Sequence, residues 1–451
     1  MTDRSKSTAP LYGEQTQLAL QNFTLSGETL PRPFLRALGW IKSAAAWANG
    51  ELGLLPAEHA QWIARSALQV ANGDWDAQFP LDVFQTGSGT STNMNANEVI
   101  ATLASREMDD TVHPNDHVNM GQSSNDVIPS AIHLSAAIEL QQRVIPAVHG
   151  LAGQLEALAR QYQDVIKTGR THLMDAMPIS LGQEFSAWAA QLHAGIARLQ
   201  AVTPRLHQLA LGGTAVGTGI NAHPEFAHLA CQRLSELSGL DITPHPNPFV
   251  AISAQDTAVE LSGQLNTLAV TLMKLCNDLR WMNSGPNSGL GELQLHKLQA
   301  GSSIMPGKVN PVIPEAVAMV CAQVMGNHCT MTVAGQSGNF QLNVMLPLMA
   351  ANLLRSMHLL ANGCEHLQVK ALADITVNRE ALSHQVNLNP MLVTALNRRI
   401  GYDQAARIAQ QAMAEGRPII EVAEAMTDLS SEELRGLLDP RHLAYPHQEK
   451  D

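Results

Sequence analysis

At 451 residues the chain has material for two to four domains and can bury a large core. Its formal net charge of -12 argues against nucleic acid as a partner, while leaving room for a small dianion whose binding depends on local cations and donors. Charged residues are only 15% and aromatics 4%, which suggests that much surface is hidden in an oligomer.

Residues 1–17 are polar and lack the apolar core of a secretory signal, and no run of eighteen apolar residues suggests a membrane span. A cytoplasmic protein is expected. Up to about residue 122 the chain is rich in Gly, Pro, Asn and Asp, with short helical periodicities over 33–52 and 57–71. Within this region, TGSGTSTNMNANE at 86–98 is dense in hydroxyls and amides. It reads either as a loop capping the following helix or as an anion nest of hydroxyls and N–H groups at a helix start. HPND at 113–116 has the residues of a proline turn. GQSSND at 121–126 allows the same two readings as the 86–98 segment.

From Val144 the apolar positions Val148, Leu151, Leu155, Leu158, Tyr162 and Val165 alternate steps of four and three, the mark of a long amphipathic helix. A polar break, GRTHLMDAMP at 169–178, separates it from a second series running from Phe185 to Leu209. A third runs from Ala254 to Met282 and carries no charge between Leu261 and Met273, as befits a helix in the middle of a bundle. Helices of about thirty residues would be about 45 Å long, and rods of that length invite neighbouring subunits.

GSSIMPGKVNP at 301–311 is the most informative segment. Glycines at both ends and Pro306 and Pro311 make a continuous helix improbable, so it reads as a loop able to close over a ligand, with Lys308, Asn310 and the serine hydroxyls as donors. Between Lys308 and Arg355 the only formally charged side chain is Glu315, which is expected to be buried. A carboxylate oriented on an imidazole such as His172 would make it a competent general base. The stretch 316–367 supplies two more helices, broken near 335–338, and a second break near 374–378 leads to a shorter, more charged helical tail. Cys231, Cys276, Cys321, Cys329 and Cys364 are widely spaced without a CxxC pair, so they read as buried small hydrophobes; no metal or cofactor is expected.

The ordered motifs TGSGT, HPND, QSSND, GRTH and GSSIMPGKVNP, with SGNFQLN and LVTALN beyond, resemble the class II, iron-free fumarases of the fumarase/aspartase superfamily across nearly the whole chain. The resemblance implies an all-α subunit of three domains: an N-terminal domain at 1–122, a central long-helix bundle at 123–374 and a small C-terminal domain at 375–451. It implies a homotetramer whose central helices form a twenty-helix core, with each active site assembled from three subunits. It implies hydration of fumarate to L-malate, a step of the tricarboxylic acid cycle, through an aci-carboxylate carbanion. By matching positions, Ser88, Gly89, Thr90, Ser123, Ser124, Asn125, Thr171, Ser303, Lys308 and Asn310 would hold the substrate carboxylates. Ser302 would be the base at C3, and His172 with Glu315 would manage the water.

His113, Asn115 and Asp116 match a second, non-catalytic dicarboxylate site, with Asp110 standing where a basic residue is expected. Met174 and Met177 also depart from the usual Gln and Thr or Val around the histidine. The alternatives are aspartate ammonia-lyase, which shares features such as NDHVN at 115–119, and a non-catalytic structural relative. His113, Gly307 and the Thr171-His172 pair favour fumarase over the first. The intact set Ser302, His172, Glu315, Lys308 and Asn310 speaks against the second.

Overall fold

The computed structural model describes residues 10–108 and 110–446. The polar start at 1–9, part of the segment read above as carrying no signal, lies outside the described residues. The chain is 66% helical, as an all-α fold requires.

The first helices are Glu14–Asn22 (α1), Arg32–Glu51 (α2), Ala57–Asn72 (α3), Thr90–Met108 (α4) and Ser124–Glu139 (α5). Proline in the first turn of α2 needs no N–H partner and pre-sets the helical φ, and the helix buries Phe34, Leu38, Ile41 and Ala45. Ser123 caps α5 through a capping box with Asp126. After Ile145–Gln161 (α6) comes a hairpin, Ile166–Thr171 (β1) and Met174–Ser180 (β2), where the sequence showed only a polar break. Leu181–Leu206 (α7), Phe226–Ser238 (α8), Pro248–Ser253 (α9), Asp256–Met282 (α10), Val312–Gln336 (α11) and Leu346–His366 (α12) follow, then six shorter helices from Arg379 to Ala444.

The chain divides into two compact units: unit 1 holds the described residues up to Pro146 with Gly195–Ala269 and Val320–Asn362, and unit 2 holds Ala147–Ala194, Val270–Met319 and Gly363 onward. Within unit 1, buried polar pairs tie the long helices: Ser262 Oγ lies 3.0 Å from His328 Nδ1, and Asn327 Nδ2 donates to Ser356 Oγ at 3.0 Å. Within unit 2, Trp188, Phe185 and Tyr162 form an aromatic core, and the tail has a cluster of its own around Leu396, Ile408, Val422 and Leu434.

α11 departs from expectation. Its one charged residue, Glu315, is half-buried rather than buried, and Met319 and Val333 are 69% and 51% exposed. An uncharged helix with bare apolar positions has a face that a single chain leaves uncovered. Cys329, on the same helix, is likewise exposed, whereas the other four cysteines are buried and no disulfide is present.

Candidate active site

In unit 1 the two hydroxyl-rich segments come together at the starts of α4 and α5. Thr90 Oγ1 lies 2.8 Å from Ser88 Oγ and 2.7 Å from Ser124 Oγ, a chain of three hydroxyls that can turn its protons toward an anion. The backbone holds it tightly. Gly87 O accepts from Leu346 N at 3.0 Å, and a Cβ on Gly87 would fall 1.8 Å from Val344 O, so only glycine fits. Ser123 serves as the N-cap of α5, and its Oγ accepts from Asn125 N. The capping reading holds at Ser123, and the hydroxyls of Thr90 and Ser124 lie at helix N-termini, where the helix dipole favours an anion. Asn125 Nδ2 donates to Ala215 O at 2.8 Å, so that donor is already engaged.

Behind this cluster lies a buried charge pair that the motifs did not reveal. Lys42 is fully buried on α2, and its Nζ donates to Asn119 Oδ1 at 2.9 Å and to Gln122 Oε1 at 3.0 Å. Asp126, also fully buried, accepts from the backbone N–H of Ser123, Gly212 and Thr214, each at 2.9 Å. Burial pushes the Lys42 ammonium down to about 7 against the pull of Asp126. It pushes Asp126 up to about 6, opposed by those three N–H donors and by Lys42. A signal was available: Lys42 falls in phase with Leu35, Leu38 and Ala45 on the buried face of α2.

The candidate second site is an exposed turn. His113 caps a short π-helical turn over Pro114–Val118, with its Nδ1 accepting from Asp116 N at 3.1 Å, and Asn115 and Asp116 point to solvent. Asp110 Oδ2 lies 3.4 Å from His59 Nε2. Burial, with the neighbouring His59 and His113, holds the His117 imidazole below its usual range, against the pull of Asp116 and Asp110.

In unit 2, Thr171 pairs with Met174 across the hairpin, leaving a two-residue loop of His172 and Leu173 at φ 56° and 62°. Positive φ at both central positions is the type I′ geometry, which favours Asn-Gly; placing His and Leu there costs on the order of 1–2 kcal/mol per residue. The strain holds the imidazole at an exposed tip beside Leu173 and Met174. The base of the hairpin is anchored by buried ion pairs: Lys167 Nζ lies 2.6 Å from Glu184 and 2.5 Å from Glu292, and Arg170 also pairs with Glu292. Among the described residues no hydrogen bond or ion pair joins His172 to Glu315.

The 301–311 segment, also in unit 2, is a closed loop. Gly301 N donates to Lys308 O at 2.9 Å and Asn310 Nδ2 to Gly301 O at 2.8 Å, so Asn310 braces the loop as well as offering its remaining amide hydrogen. Ser302 Oγ accepts from two backbone N–H groups, Ile304 at 3.2 Å and Met305 at 3.1 Å. Donors aimed at a hydroxyl oxygen stabilise its alkoxide and lower its pKa, which is what a serine base requires. Side-chain motifs could not show these donors, because they are backbone. Ser303 and Lys308 are exposed, and the Lys308 ammonium has no hydrogen-bond or ion-pair partner among the described residues.

Comparison with known proteins supplies the class. A family model described as "Lyase" matches residues 3–326, and one described as "Fumarase C C-terminus" matches 392–445. "Fumarate hydratase class II 2" of Pseudomonas aeruginosa is 58% identical over 96% of this chain and 94% of that protein. "Fumarate hydratase class II" of Xylella fastidiosa is 56% identical over 96% of this chain and 92% of its own length. A crystal structure of the class II fumarase of Schistosoma mansoni superposes with a TM-score of 0.95 at 39% identity, covering 98% of this chain and 97% of that one. The chain belongs to the class II fumarate hydratase family of these lyases.

Proposed function

We propose that the protein is a fumarate hydratase, adding water reversibly across the double bond of fumarate to give L-malate. Starting from malate, in the dehydration direction, the Ser302 alkoxide takes the C3 proton. The electron pair left behind spreads into the neighbouring carboxylate as an aci-carboxylate, and the C2 hydroxyl then leaves as water with a proton delivered through His172 and Glu315. Lys308, Asn310, Thr171, Ser303 and the hydroxyls of Ser88, Thr90, Ser123 and Ser124, with Gly89 and Asn125, hold the two carboxylates; fixed donors around developing charge are commonly the largest catalytic term. The observation that carries this reading is the pair of N–H groups on Ser302 Oγ, which favours the alkoxide the step needs. Loss of fumarate absorbance, compared between the protein and Ser302→Ala, tests it.

The reading includes a cytoplasmic homotetramer of three-domain subunits, divided at 1–122, 123–374 and 375–451, with each site shared among three chains. The bare apolar positions of α11 support the assembly. Among the described residues no helix is long and apolar enough to cross a membrane. His113, Asn115 and Asp116 remain a proposed second dicarboxylate site, with an acid, Asp110, in their midst.

A further inference from the structure

We infer that Lys42 is a positioning residue for substrate binding: its buried ammonium, gripped by Asn119 and Gln122, holds the starts of α4 and α5 in register and sets a positive charge behind them. The inference rests on the proposed function, in which those helix starts bind a substrate carboxylate.

Three observations converge on it. First, Lys42 is wholly buried and spends its donors on two side-chain amide oxygens of the 119–122 segment, which leads directly into Ser123 and Ser124. Second, Asn119 Oδ1 also accepts from Asn93 Nδ2 at 3.1 Å, and Asn93 lies one turn into α4 from Thr90. One amide therefore joins Lys42 to α4 and to the loop that leads into α5, the helices whose hydroxyls meet at Thr90 and Ser124. Third, the counter-charge is not spent on Lys42 by a direct bond. Asp126 accepts three backbone N–H groups instead, pinning Ser123 to the 212–214 segment.

A buried cation is expensive unless its site uses it, and a lysine that only filled space could be replaced by a neutral chain of similar length. Here the ammonium, opposed by the Asp126 carboxylate in the first turn of α5, acts on the bound dianion chiefly through the two amides it orients. Removing it should weaken ground-state and transition-state binding of the carboxylate together, raising KM and leaving kcat little changed.

The test compares Lys42→Met and Lys42→Arg with the parent tetramer, measuring kcat and KM for fumarate, the inhibition constant of succinate as a non-reacting dicarboxylate, and the melting temperature. Lys42→Met is expected to raise KM and the succinate constant at least ten-fold with kcat within about three-fold, and Lys42→Arg to recover part of the loss. A lower melting temperature with unchanged KM in the folded enzyme would reduce Lys42 to a structural residue and overturn the inference. Should Lys42→Met not fold, Gln122→Met decides: it cuts one of the two ties and should raise KM several-fold, and an unchanged KM would overturn the inference. Ser124→Ala, run in parallel, separates the two readings. Unchanged KM there refutes carboxylate binding at α5 itself, whereas raised KM there beside unaffected Lys42 and Gln122 variants refutes only the role of Lys42.

Discussion

Asn310 and Gly301 lock the ends of the Ser302 loop together: the Asn310 side-chain amide donates to Gly301 O at 2.8 Å, beside the Gly301 N to Lys308 O bond at 2.9 Å. A Cβ on Gly301 would lie 2.4 Å from Lys308 O, so no side chain fits without opening the loop. Gly301→Ala is therefore expected to displace Ser302 and Lys308 by an ångström or so and to lower kcat on the order of 100-fold. Because most of the loop is exposed, the melting temperature should barely move. Steady-state kinetics beside a thermal melt checks both halves.

Ser302→Ala removes the proposed base together with the acceptor for the Ile304 and Met305 N–H groups, so kcat should fall by roughly 10²- to 10⁴-fold with helix content intact. His172→Asn should cost less. Asn accepts the left-handed backbone that His172 adopts, so the hairpin survives and the loss reports the imidazole alone. Near-normal turnover in Ser302→Ala would point to another base.

If each site draws residues from several chains, impaired Ser302→Ala and impaired His172→Asn subunits exchanged into mixed oligomers should give more activity than the two variants kept apart, since some sites collect both intact side chains. An active monomer in sedimentation analysis, or no recovery after proven exchange, would contradict shared sites.

Asp82 gives a pH-dependent prediction. Its carboxylate accepts N–H groups from Leu25, Ser26, Gly27 and Phe84 and the Ser26 hydroxyl. Burial would raise its pKa, but the N–H donors of Ser26, Phe84 and Gly27 and the Ser26 hydroxyl outweigh it and hold the group well below the usual carboxylate range. A depressed carboxylate contributes stability that is present above the unfolded pKa, about 4, and is lost as pH falls toward the folded value. Asp82→Asn should cost about 1–3 kcal/mol at pH 7, and the gap should narrow below about pH 4. Urea denaturation at pH 7 and pH 3.5 measures it, and a gap equal at both would exclude the charged form as the source.

The long helices were legible because they announce themselves by periodicity: the series from Ala254 to Met282 is the observed Asp256–Met282 helix almost residue for residue. The hairpin bearing His172 was not legible. Its pairing shifts register around Gly169, and its turn uses His and Leu where hairpin turns are recognised by Asn and Gly. Glu315 was read as buried from its uncharged surroundings, yet those surroundings lie along a helix face that one chain leaves open. The serine hydroxyls were visible as motifs, but the N–H groups of Ile304 and Met305 that donate to Ser302 Oγ belong to the backbone, and only folding aims them.

The central claim is that this site adds water, and the choice of nucleophile tests it most directly. A site that activates water needs a base, the role proposed for His172 and Glu315, whereas one that releases ammonia must hold an ammonium group that is already protonated. Fumarate incubated with the protein in concentrated ammonium buffer near neutral pH, followed by product analysis, distinguishes them. The account predicts L-malate with little or no aspartate; aspartate as the dominant product would contradict it.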